Sequence, residues 1–237
     1  MQRDVEKVLK RKAGNMMSKL DFKKTYPKFY SPKTTPDIID VPEMKFIMVD
    51  GKGNPNSPGG EYQLAVGLLY SLSYGIKMGL KSAKDTPEGY TDYTVAPLEG
   101  LWWLEDLKDT DINKKDKYRW CSMIRQPDFI TEEIFNEARE NLRKKESDLP
   151  VDLARFESFR EGLCVQVMHH GPYDEEPATV QKMDEYVKAQ GYRNDFGSLT
   201  PDGHTRTHHE IYLTRPYLKD PGKMRTILRH PIRPMSS

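Results

Sequence analysis

The sequence predicts an α+β fold: two βαββ units related by a pseudo-twofold axis, joined into a mostly antiparallel sheet. Two long helices cover one face, and a ligand cleft is left on the other. Three observations predict it. Strand-like and helix-like patterns recur in the same order, with corresponding elements roughly 105–120 residues apart. Each long helix follows a strand through a Gly–Pro–acidic junction, at Gly53-Asn54-Pro55 through Glu61 and again at Gly171-Pro172-Tyr173-Asp174. Hydrophobic residues make up only 36%, yet there are 13 Tyr, 8 Phe and 3 Trp, which suggests a thin aromatic core with one wide solvated or ligand-facing side.

Residues 1–20 are polar with sparse apolar positions and read as a loose helix or arm. Asp21–Glu43 carries four prolines and little periodicity, an extended lead-in lying across the body of the protein. Met44–Asp50 alternates like a strand and ends in a turn. Across Gly59–Ala83, Leu64, Leu68, Leu69, Leu72, Ile76 and Leu80 recur at three- and four-residue steps, which marks an amphipathic helix. Tyr90–Trp103 and Tyr118–Gln126 complete the first unit. A charged linker helix then runs from Thr131, its N-cap, to about Lys145. The second unit comprises Leu163–His169, a helix Glu175–Gln190 closed by Gly191, and strands Thr205–Thr214 and Lys223–His230. This divides the chain into an arm and lead-in, 1–43, and one small-molecule-binding domain, 44–237, with halves 44–127 and 151–237 and the linker helix at about 131–145.

Lys and Arg total 37 against 36 acidic residues, so the basic footprint of a nucleic-acid binder is absent. No apolar run reaches the roughly 20 residues that span a bilayer, and the N-terminus has no apolar signal region. The expected location is the cytoplasm, with Cys121 and Cys164 reduced.

Period two on Thr205–Thr214 groups His209, Ile211 and Leu213 on one side and His208, Glu210 and Tyr212 on the other. Ile211 and Leu213 are expected under the helices, so Glu210 and Tyr212 would point into the opposite space. There a carboxylate is either solvated or facing a ligand. In Pro97–Leu104, adjacent Trp102 and Trp103 face opposite ways; they are either buried aromatics or a wall for a flat, cationic ligand. Glu99 shares the parity of Leu101 and Trp103. The pairs His169-His170 and His208-His209 lack zinc-site spacing, so no metal is expected, and no cofactor. The acidic run Asp174-Glu175-Glu176 reads as ordinary pairing with a helix dipole.

The runs Asp21–Lys24, Tyr30–Lys33, Val41–Met44, Val49–Asn56, Pro97–Trp103, His209–Leu213 and Lys223–Arg229 resemble the stand-alone GyrI-like proteins of bacteria. The resemblance implies a small organic ligand held between two βαββ units, as in the ligand domains of MerR-type multidrug regulators and the SOUL haem-binding superfamily. It places Glu210 at the position that faces bound organic cations. It also implies hydrolysis of cyclopropane-type genotoxins, with Glu210 and Tyr212 as catalytic residues. Glu99, Trp102, Trp103, His208, Met168 and Tyr173 are the candidate ligand-binding residues. The alternative is a non-enzymatic module that binds a protein partner in the manner of gyrase inhibitors. Haem binding is the weakest reading, because no apolar pocket surrounds His208 or His169.

Overall fold

The computed structural model describes residues 19–106, 114–214 and 220–235. The expected N-terminal arm therefore lies almost wholly outside the described residues. In chain order the elements are α1 Phe22–Thr25, α2 Pro27–Tyr30, β1 Asp37–Lys52, α3 Glu61–Ser82, β2 Leu98–Leu104, β3 Tyr118–Arg125, α4 Glu132–Lys145, β4 Arg155–His170, α5 Glu176–Ala189, β5 Tyr192–Asn194, β6 His208–Tyr212 and β7 Arg225–Pro234.

The expected open sheet is instead closed. Its strands follow the order β4-β1-β3-β2-β6-β7, and β7 pairs back onto β4, all antiparallel, with β5 added at the end of β7. The reason lies in β1 and β4, which are much longer than their apolar cores suggest. At sixteen residues each they extend about 50 Å if straight, and right-handed twist coils strands of that length around one another. Their shared ladder is interrupted at Pro42, which has no N–H to give, beside Gly162 at φ +75°. β4 can then pair with β1 along one edge and β7 along the other, which removes both sheet edges.

Closure sorts the side chains by parity. Ile39, Val41, Phe46, Met48, Leu101, Cys121, Met123, Phe159 and Cys164 form a cluster inside the ring. On the outside, Ile47, Val49, Trp120 and Ile124 pack beneath α3, and Val165, Val167, Leu228 and Ile232 beneath α5. The face expected to be open is thus the interior of a barrel.

The lead-in is not extended throughout. Asp21 caps α1 by accepting the Lys23 N–H, and Pro27 opens α2 at a position where a missing N–H costs nothing. The pair docks on Arg125, whose guanidinium lies 4.4 Å from the Tyr26 ring centre and 5.0 Å from that of Phe22. Phe29 and Tyr30 then reach into the ring. Arg229 Nη2 donates to the Phe29 carbonyl at 3.1 Å, Gln166 Nε2 to that of Lys28 at 2.8 Å, and the Tyr30 hydroxyl to Glu99 at 2.8 Å.

On α3, Ala65, Leu68, Leu69, Leu72 and Ile76 are buried as the periodicity requires, but Leu64, half of it accessible, is not part of that face. α4 begins as expected, with Thr131 accepting the Ile134 N–H. None of the helices among the described residues is long and apolar enough to cross a membrane.

Candidate functional site

A cavity of about 1780 Å³ opens outside the ring, between α3 and α5 and over β2 and β6. One wall is the second face of α3, where Tyr62, Val66, Tyr70 and Tyr74 recur every four residues. Glu176 and Val180 of α5 form the opposite wall. The floor is made by the outward residues of the β2–β6 pair, where Trp102 lies opposite His208 and Gly100 opposite Glu210.

The parity of β6 is as the sequence indicates, but its faces are exchanged. His209 and Ile211 point into the barrel, while His208, Glu210 and Tyr212 point toward the helices and line the cavity. Both sides of this strand are covered because the ring has an inside, so the apolar residues need no helix above them.

Of the residues singled out from the sequence, Glu210, Tyr212, Trp102, Trp103, His208 and Tyr173 meet at the cavity. Trp102 is the more embedded in its wall. Its Nε1–H donates to the Tyr212 hydroxyl at 2.9 Å, and its ring lies 5.3 Å from Tyr62. Trp103 touches the cavity while packing against the interior cluster. Tyr173 meets Tyr212 edge-on at 6.0 Å. Met168 belongs to the apolar core, and Glu99 lies inside the barrel; neither lines the cavity.

Burial, then the nearby charge of Glu210, pushes the Tyr212 phenol well above its ordinary pKa, so it stays protonated at neutral pH. Its oxygen accepts from Trp102, which leaves its own O–H free to donate toward Glu210 or a ligand. The Gly100 backbone fits beneath this pair only because it lacks a side chain. A Cβ there would stand 2.7 Å from Trp102 Nε1 and 3.3 Å from the Tyr212 hydroxyl. Gly100→Ala is expected to push Trp102 off Tyr212 and to weaken binding of aromatic ligands several-fold, by fluorescence titration, with little loss of thermal stability. Unchanged affinity would show that this contact does not shape the site.

His208 bridges two partners. Its Nδ1 lies 2.7 Å from Nε2 of His230, and its Nε2 lies 3.0 Å from Glu210 Oε1. His230 is fully enclosed; burial, then the neighbouring His208, holds its pKa well below the usual imidazole range. It is therefore neutral, and a single hydrogen bond joins its Nε2 to Nδ1 of His208. Glu176, read from the sequence as ordinary pairing with a helix dipole, is buried in the cavity wall. Burial, then the charges of Glu210 and Asp174, raises its pKa to about 10. Ligating atoms of Glu176, His208 and Glu210 all lie within 4.8 Å of one another.

Sequence reasoning missed Tyr62, Tyr70, Glu176 and His230. The tyrosines had a signal, since a four-residue recurrence runs along α3 beside its leucine stripe. Glu176 and His230 had none, because only the tertiary fold brings the start of α5 and the β7 strand beside β6. Cys121 and Cys164 are buried and free, and burial pushes both thiols up, which leaves no reactive thiolate.

An apolar cavity with a few converging polar groups is the usual form of a small-molecule site. Comparison with known proteins agrees. No curated protein matches the chain. Among solved structures it is similar to an uncharacterized conserved protein from Listeria innocua, at 47% identity and a TM-score of 0.82, over 91% of this chain and 100% of that one. It is also similar to two structures of a hydrolase from Listeria innocua, at 45% and 46% identity and TM-scores of 0.78 and 0.79, with the same coverage. The model of the GyrI-like small molecule binding domain matches residues 34–233, a span that takes in every strand of the ring and both walls of the cavity, and the chain belongs to that family.

Proposed function

We propose that this protein binds a flat, apolar or cationic organic molecule in the cavity and hydrolyses cyclopropane-type genotoxins there. One observation carries the reading: the Glu210 carboxylate stands at a wall of aromatic rings, Tyr62, Trp102, Tyr173 and Tyr212, in a cavity large enough for a drug-sized ligand. The rings hold a planar electrophile by stacking, and by cation–π contact if it is charged. Glu210 accepts a proton from water as the water oxygen bonds to a strained ring carbon. The ring C–C bond breaks, and its electron pair moves onto the conjugated acceptor of the substrate, which takes a proton from solvent or from the Tyr212 phenol. The likeness at 45–46% identity to a Listeria hydrolase supports the chemistry, as does a protonated Tyr212 beside the carboxylate.

The pairing order supports the internal duplication inferred above. β1, β3 and β2 are neighbours in that order, as are β4, β7 and β6, and the two sets join through β1 with β4 and β2 with β6. The cavity then sits on the seam, with Trp102 from one half and Glu210 and Tyr212 from the other. Cytoplasmic location is part of the same proposal.

The test is incubation with a cyclopropane-bearing DNA alkylator, followed by mass spectrometry for the water adduct. Wild type is expected to form it far faster than buffer alone. Trp102→Ala should raise the ligand dissociation constant by about tenfold, the scale of one lost aromatic contact. Product formation no faster than in buffer would refute hydrolysis, and absence of measurable affinity would refute the binding site.

A further inference from the structure

We propose that Glu176, His208 and Glu210 form a site for a divalent transition-metal ion, at the wall of the cavity between the start of α5 and strand β6. The three residues contribute one imidazole nitrogen and two carboxylate oxygens, which lie within 4.8 Å of one another. First-row divalent ions such as Zn²⁺, Mn²⁺ and Fe²⁺ take this mixed donor set. Metal–ligand distances of about 2.0–2.2 Å require the three groups to draw inward. Side chains that border a cavity have room to do so.

Two further observations point to a ligand here. First, Glu176 is only 8% exposed, and its Oε1 has no hydrogen-bond partner. A buried carboxyl oxygen without a partner costs roughly 1–3 kcal/mol, and more if it is ionised. Among the described residues neither Glu176 nor Glu210 is paired with a Lys or Arg. The arginine that lines the cavity, Arg206, is committed elsewhere: to Asp195 at 2.7 Å and to the carbonyl of Leu163 at 2.6 Å. Among the described residues, the cluster has two carboxyl groups and no Lys or Arg paired with them.

Second, His208 is already held as a metal-binding imidazole is usually held. Ligating histidines commonly use their second ring nitrogen in a hydrogen bond that sets tautomer and orientation. His230 supplies that bond at Nδ1, 2.7 Å away, and the ring is held with Nε2, the nitrogen a metal would take on losing any proton, toward the carboxyl groups, 3.0 Å from Glu210 Oε1. Three protein ligands on one side leave the remaining coordination positions facing the cavity, the pattern of a catalytic rather than a structural site. A bound ion would lower the pKa of its own water and so supply hydroxide beside the aromatic wall, with Glu210 then a ligand instead of the base.

The site goes beyond the hydrolytic reading and does not depend on it. The experiment uses the full chain, stripped with EDTA, dialysed and titrated with Zn²⁺ by calorimetry. Co²⁺ absorption then reports the donor set. One equivalent of Zn²⁺ is expected to bind. Glu176→Gln and His208→Ala should each weaken it more than about tenfold, and His170→Ala, on the exposed end of β4, should leave it unchanged. Circular dichroism verifies that each variant is folded; Glu176→Gln keeps shape and volume and serves as the decisive variant. No uptake at millimolar Zn²⁺, or undiminished affinity in folded Glu176→Gln, would overturn the proposal. Measuring cyclopropane hydrolysis in parallel separates the two ideas: Zn²⁺ binding without hydrolysis keeps this site and removes the earlier reading. Hydrolysis that persists in EDTA without Zn²⁺ uptake does the reverse.

Discussion

Glu210→Gln is expected to reduce hydrolysis of a cyclopropane-bearing substrate by about 10²–10⁴-fold, the usual contribution of one general base. The amide keeps the size and shape of the carboxyl group, so the cavity and its aromatic wall should persist. What it removes is a basic oxygen able to take a proton from water. The effects on binding separate the ligand classes. A cationic ligand should lose affinity, because the neutral amide no longer offers it an opposite charge. A neutral planar ligand should bind nearly as before, since Trp102, Tyr62 and Tyr212 are untouched. Affinity by fluorescence titration and turnover by mass spectrometry check both parts. Equal turnover in variant and wild type would exclude Glu210 from the chemistry.

His209→Ala is expected to cost about 3–5 kcal/mol of stability, although its side chain never reaches the cavity. His209 lies inside the barrel, 3.1 Å from Glu99 on one side and 3.1 Å from Glu161 on the other, and Arg229 Nη1 donates to Glu161 at 2.8 Å. Burial alone would discharge the imidazole. The Glu161 charge, with hydrogen bonds to Glu161 and Glu99, outweighs it and raises the pKa to about 9. Burial likewise opposes the Glu161 carboxylate, but His209 and Arg229 hold its pKa down at about 2. Removing the imidazolium leaves the Glu99 and Glu161 carboxyl groups facing each other across the space the ring had filled, with Arg229 the one cation left beside Glu161 among the described residues. For a chain of this size the melting temperature should fall by roughly 10 °C.

The pH dependence follows from the same groups. The imidazole binds its proton more tightly folded than unfolded, so its contribution is complete below about 6.5 and is lost as pH rises toward about 9. The carboxylate behaves in the opposite sense: its contribution is complete above about 4.5 and is lost as pH falls toward about 2. The stability difference between wild type and His209→Ala should therefore be greatest between about pH 4.5 and 6.5. Chemical denaturation across this range measures it, and a difference below 1 kcal/mol throughout, under the roughly 1–3 kcal/mol scale of one lost buried contact, would show that the network adds no stability.

Local pattern determined a good deal by itself. The leucine steps of α3 from Leu68 onward, the Thr131 cap of α4, the turn at Gly191 and the period-two grouping of β6 are present as expected. These features depend on residues within a few positions of one another, where spacing translates directly into geometry. Element ends were less legible. β1 and β4 begin well before their apolar stretches because ladder partners, not hydrophobicity, hold those segments.

Only the tertiary structure decided which side of each strand became the site. Period two states that Glu210 and His209 point apart, but it does not state what lies in either direction. In an open sheet, apolar Ile211 belongs under a helix and Glu210 in the open. Once β7 pairs with β4, the ring has an interior that takes His209 and Ile211, and the outward face with Glu210 and Tyr212 becomes the cavity floor. The same closure set Glu99 in a buried ion network and brought Glu176 and His230 beside His208. Ring closure joins strands distant in sequence, and a pairing of that kind is set by the packing of the whole chain, so no local spacing records it.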